Sequence, residues 1–144
     1  MRSSADGVTV NGPIDGTEIG VVWPNVEPFL SAALETDGVM TSADLLDQMS
    51  SGLWGLYVVT EDATGEILGA VCCEVQEWPN GPVFNIAYCG GHSLYRWAGL
   101  LGALEAEAVR LGCDTVRITG RAGWGRVFPD YREAHRVFER KVVE

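Results

Sequence analysis

The sequence predicts an α+β domain: a mixed, mostly antiparallel sheet flanked by helices, with one βαβ crossover. Three observations predict it. Residues 53–60, 67–78 and 83–88 are strand-like runs, rich in β-branched and aromatic side chains and separated by tight turns. Residues 93–111 carry Leu94, Trp97, Leu101, Leu104, Ala108 and Leu111 at helical spacing, and Gly112 stops them. Residues 114–119 follow, with Val116 and Ile118 alternating, and the helix between gives the connection the length a parallel crossover needs.

The elements before this unit are shorter. Residues 1–17, rich in Gly, Ser and Asp, are expected to form a flexible arm, with the Val8/Val10 alternation offering an edge strand. Residues 18–144 are then a single domain. Within it, 18–23 is expected as a short strand, and Pro24 opens a helix to about Glu35 with Val26, Phe29, Leu30, Ala33 and Leu34 on one face. A second helix is signalled by Thr41 or Ser42 as N-cap, Asp44 after it, and Leu45, Leu46 and Met49 as its apolar face. After 114–119, a glycine-rich connector over 120–126 leads to a last expected strand at 134–143.

Composition narrows the function classes. With 144 residues, 47% of them hydrophobic, the chain is long enough to bury a core without staples. No apolar run reaches the ~18 residues of a membrane span, and the N-terminus lacks a secretory core, so an intracellular protein away from membranes is expected. Twenty acidic against ten basic residues give a net charge of −10, which argues against direct nucleic-acid binding. The basic residues crowding 117–141 are read as solvated faces. Cys72 and Cys73 are adjacent and on a strand point to opposite faces; with no CxxC spacing, no metal site is expected. Cys89 and Cys113 flank the long helix and are expected reduced.

The place where chemistry is expected is the junction of strand and long helix. Gly90, Gly91, His92 and Ser93 lie there. Helix N-termini present unpaired N–H groups and positive dipole ends, and glycine admits close approach of a ligand, so an anion fits. His92 is read first as a residue that caps the helix and second as a phosphate contact. Trp97 and Trp124 are read as core aromatics, and Arg121 as the partner of a carboxylate such as Asp130.

This order of elements resembles the GNAT superfamily of acyl-CoA-dependent N-acetyltransferases. The resemblance runs from about Glu18 onward. Its most specific part runs from Ala87-Tyr88-Cys89-Gly90-Gly91 through Leu111-Gly112-Cys113 and Gly120-Arg121-Ala122-Gly123-Trp124 to Tyr131. That run is similar to small GNAT-like proteins of phages and prophages. The resemblance implies acetyl-CoA as cofactor, held at Gly90, Gly91, His92 and Ser93, and transfer of acetyl to an amine. The family's loop, Arg or Gln, two residues, Gly, one residue, Gly or Ala, is only half matched here. By the same resemblance Glu74 and Tyr131 are the candidate catalytic residues: Glu74, with Glu77 beside it, because Asn85 on the central strand is no base, each glutamate being read first as a solvated strand residue, and Tyr131, read first as a packing aromatic because Arg126 falls about where the family's tyrosine acid stands.

The alternative is a non-catalytic virion or assembly component with a degenerate GNAT fold. It would dock on a virion or host protein partner, in host cytoplasm or virion. A third reading, an acidic inhibitor mimicking DNA, is disfavoured because the acids are spread along the chain.

Overall fold

Asp15 decides where the first helix begins. In the computed structural model, which describes residues 1–120, 128–134 and 138–142, its carboxylate accepts from the Thr17 N–H at 2.9 Å and from the Thr17 hydroxyl at 2.7 Å. Helix α1 then runs over Gly16–Asp37. The strand expected at 18–23 is therefore the first turns of this helix. Ile19, Val26, Leu30 and Leu34 recur at helical spacing and are all buried, and that stripe outweighs the β-branched run around Val21 and Val22. Pro24 and Pro28 lie inside the helix on its exposed face, where the carbonyls they leave unbonded meet water. Gly38, at φ +67°, closes the helix by donating its N–H to the Leu34 carbonyl at 2.9 Å. Helix α2, Ser42–Ser50, starts on a reciprocal cap between Thr41 and Asp44.

Among the described residues six strands form one sheet in chain order: β1 Arg2–Ala5, β2 Val8–Asn11, β3 Gly55–Glu61, β4 Ile67–Trp78, β5 Gly81–Gly91 and β6 Thr115–Ile118. Neighbours are antiparallel except β5 and β6, which are parallel. Their crossover is made by α3, Leu94–Trp97, a 3-10 turn at Ala98–Leu100, and α4, Leu101–Arg110. The single long helix expected over 93–111 is thus broken, at a joint carrying Gly99 and Gly102, which weaken helix propensity.

Residues 1–17, expected as a flexible arm with an edge strand as the other option, hold β1 and β2. Val8 pairs with Glu61 and Val10 with Val59, and both valines are fully buried. Ala134 and 138–142 carry no strand, so the last expected strand is absent there, and Phe138 and Val142 stay exposed. Residues 135–137 and 143–144, with the connector residues Arg121, Trp124 and Arg126, lie outside the described residues.

The sheet buries both faces. Leu56, Val58, Ala70, Cys72 and Tyr88 pack under α1 and α2. Tyr57, Val59, Val71, Cys73, Phe84 and Ile86 pack with Trp97, Leu104 and Ala108 of the crossover. Period-two alternation sends Cys72 and Cys73 into opposite cores, as expected. Among the described residues no helix is long and apolar enough to cross a membrane.

Candidate functional site: a fork between two parallel strands

β5 stays paired with β4 along its whole length, from Trp78 opposite Gly81 to Gly69 opposite Gly91. With β6 it pairs only from Val83 to Ile86, and the Thr119 N–H closes that ladder on the Ile86 carbonyl at 3.0 Å. Past this point residues 87–91 have no strand on their outer edge among the described residues. The β4–β5 register slips at the same level: Cys72 faces Tyr88 while Cys73 faces Ile86, leaving Ala87 as the extra residue of a bulge. A bulge bends and twists its strand, so β5 leaves β6 where Ala87 sits. The result is a fork at the carboxyl ends of two parallel strands, the place where open sheets hold ligands.

The two sides of the fork differ in chemistry. Toward the crossover lies a small apolar cavity of about 30 Å³, lined by Val71, Ile86, Cys89, Trp97, Ile118 and Phe128 among others. Toward α1 and α2 the sheet carries polar groups. The Glu74 carboxylate accepts from Gln76 at 2.7 Å and from Asn85 at 3.3 Å, and the Thr119 hydroxyl donates to the Asn85 side-chain oxygen at 2.9 Å. Asn85 is nearly buried and half-buried Glu74 lies directly opposite it in the ladder. Beside them Tyr88 stacks on Trp54, ring centroids 5.8 Å apart, and donates its hydroxyl to Asp37. Burial and that carboxylate push the Tyr88 phenol up.

Gly90 and Gly91 are used for packing. A Cβ on Gly90 would stand 1.9 Å from the Phe29 carbonyl oxygen of α1, and one on Gly91 would stand 2.3 Å from the Leu68 carbonyl oxygen. The His92 N–H donates to Leu68 at 2.7 Å, its ring meets Phe29 edge-on at 5.1 Å, and its carbonyl accepts the Trp97 indole at 2.9 Å. Ser93, at φ +53°, precedes α3 without a side-chain cap, and its carbonyl accepts from Arg96. Of the expected anion cradle, Gly90 and the His92 N–H are thus committed to the fold.

Glu74 and Tyr131 stand on opposite sides of the sheet. The Tyr131 hydroxyl donates to Glu105 of α4 at 2.7 Å, and burial with that carboxylate pushes its phenol up. Its ring packs on Phe128, centroids 6.0 Å apart, and Phe128 lines the apolar cavity. Glu77, the other acidic candidate, is exposed.

Sequence reasoning missed one buried charge. Glu107 of α4 is 2% exposed. It accepts from Tyr57 at 3.1 Å and pairs with Arg110 at 2.5 Å. The hydrogen bond from Arg110, with Tyr57 behind it, holds its carboxyl below the usual range. The signal was present: Glu107 sits three residues after Leu104, on the packed face. All four cysteines are free, and burial raises each thiol, Cys89 to about 12. Among the described residues no group of His, Cys, Asp or Glu converges as a metal site.

The fold and the fork together define an α+β domain with a mixed six-stranded sheet and a single parallel crossover among the described residues. No protein-family model and no curated protein matches the sequence. Solved structures do match. An aminoglycoside acetyltransferase from an uncultured soil metagenomic sample, in complex with trehalose, superposes with a TM-score of 0.68 at 12% identity, over 95% of this chain and 97% of that one. A predicted acetyltransferase from Clostridium acetobutylicum, solved with acetyl-CoA, gives 0.63 at 12% identity, over 92% and 96%. A GNAT family acetyltransferase from Staphylococcus aureus gives 0.61 at 15% identity, over 94% and 99%. At these identities the likeness establishes the fold: this chain has the GNAT fold.

Proposed function

We propose that the protein transfers an acetyl group from acetyl-CoA to an amine, with the acyl end seated in the fork between β5 and β6. The observation that carries this reading is the end of the β5–β6 ladder at Ile86 and Thr119 while β5 runs on to Gly91, with an apolar pocket on one side and a carboxylate on the other. Acetyl-CoA supplies the activated thioester. Its acyl end suits the apolar lining around Ile86, Ile118 and Phe128. The phosphate end fits less well at Gly90 and His92, whose backbone is already engaged, which leaves Ser93 and the exposed His92 side chain to meet it.

Glu74 acts as the general base, taking a proton from the acceptor ammonium so that a neutral amine attacks. Tyr131 acts as the acid for the departing thiolate. A tyrosine phenol is protonated at neutral pH, and the Tyr131 ring adjoins the cavity through Phe128. The net negative charge favours a cationic acceptor.

Calorimetric titration with acetyl-CoA, followed by a free-thiol assay with a panel of amines, tests the reading. Saturable binding and amine-dependent thiol release support it; no heat and no thermal shift at millimolar acetyl-CoA would remove it. A second reading is favoured by the committed backbone of Gly90 and His92: a non-catalytic phage virion or assembly component, docked on a virion or host protein. Copurification with particles, without thiol release, would favour that one.

A further inference from the structure

Five side chains, three on β4, Asn85 on β5 and Thr119 just past β6, form a directed hydrogen-bond chain that converges on one oxygen of Glu74. From one end, the Trp78 indole donates to the Gln76 side-chain oxygen at 3.0 Å, and the Gln76 amide donates to Glu74 Oε1 at 2.7 Å. From the other, the Thr119 hydroxyl donates to Asn85 Oδ1 at 2.9 Å, and the Asn85 amide donates to the same Oε1 at 3.3 Å. The directions are forced. An indole N–H only donates, so it fixes which end of the Gln76 amide faces Glu74. The Glu74 carboxylate only accepts, so Asn85 turns its N–H to Oε1 and its Oδ1 to the Thr119 hydroxyl, which donates. Both amides therefore present N–H groups to Oε1, and Oε2 has no hydrogen-bond partner among the described residues.

We infer that Asn85, oriented by Thr119, is a positioning residue for Glu74: it holds Oε1 so that Oε2 faces the acceptor amine as the proton-accepting atom. Thr119 is also the residue whose N–H closes the β5–β6 ladder, so the clamp is anchored at the root of the fork. Asn85 is no base by its own chemistry, and its place is to aim the base on the neighbouring strand. This inference rests on the acetyl-transfer reading and deepens it.

The test uses the full-length protein in two arms. Without ligand, Glu74→Gln shifts the side-chain amide resonances of both Gln76 and Asn85 and the Trp78 indole resonance in nitrogen–proton spectra. Unmoved Asn85 and Gln76 amides overturn the clamp whatever the protein's activity. With acetyl-CoA and an amine acceptor, Asn85→Ala and Thr119→Val lower kcat about 10-fold, in the range of lost outer-shell support, with KM for acetyl-CoA within about twofold. Thr119→Ser, which keeps the hydroxyl, restores wild-type turnover and guards against a folding artefact. A wild-type protein that transfers acetyl while Asn85→Ala and Thr119→Val keep full kcat overturns the positioning role alone. A wild-type protein that binds no acetyl-CoA overturns the reading beneath it.

Discussion

Gly90 of β5 and Phe29 of α1 are in backbone contact, so close that a Cβ on the glycine would lie 1.9 Å from the phenylalanine carbonyl oxygen. The obstacle is main chain within a helix and cannot swing aside. Gly90→Ala is expected to cost about 3 kcal/mol in urea unfolding, at the upper end of overpacking effects. His92→Ala removes only an edge-on ring contact and is expected to cost about 1 kcal/mol. Equal stability of wild type and Gly90→Ala, with acetyl-CoA binding lost, would show a glycine reserved for the ligand instead.

That contact shows which part of the site was legible in the sequence and which was not. A paired glycine before a helix announces a close approach to backbone, but the sequence does not say whether a ligand or another element approaches. Here α1 and β4 do. Similarly, Glu18 to Trp23 read as a strand because β-branched residues cluster before Pro24. The competing signal, Asp15 as cap with Ile19, Val26, Leu30 and Leu34 on one stripe, spans more residues than a short window holds. The meander and the crossover were legible because period-two and helical patterns are strong there. The clamp on Glu74 was not, because it joins β4, β5 and the residue after β6, whose register only the folded sheet sets.

Val10 ties the N-terminal hairpin into the core. It is 1% exposed and lies opposite Val59. Val10→Ala is expected to lower stability by about 2 kcal/mol, the two methyl carbons plus the cavity they leave. Chemical denaturation measures this, and a loss within a few tenths of a kcal/mol would mean that the hairpin does not contribute to the core in solution.

Glu107 makes stability depend on pH. Its folded pKa is held below the ordinary glutamate value of 4.5, first through the Arg110 hydrogen bond. A depressed carboxylate contributes stability that is whole above the unfolded pKa and is lost as pH falls through the folded one. Wild type is therefore expected to weaken as pH drops below about 4.5 more steeply than Glu107→Gln. Tyr57→Phe, which removes a donor to a buried carboxylate, is expected to cost about 2 kcal/mol at pH 7. Denaturation midpoints across pH 3–7 for the three proteins read both effects, and parallel pH curves for wild type and Glu107→Gln would contradict the first.

The thiols should be inert in the native state. Cys72 and Cys73 are buried with raised pKa values, and Cys89 is pushed up to about 12, so thiolate is scarce at pH 8. A disulfide-exchange reagent is expected to titrate no thiol rapidly in native protein and four after denaturation. Rapid labelling of one cysteine would mark a thiol activated by its surroundings.

Hydrogen exchange tests directly the proposed entry of an acyl thioester where β5 leaves β6. With saturating acetyl-CoA, amide protection is expected to rise in 87–93 and at Thr119, on the two arms of the fork, with little change in β1–β3. Unchanged exchange at both arms, or protection confined to another part of the chain, would contradict it.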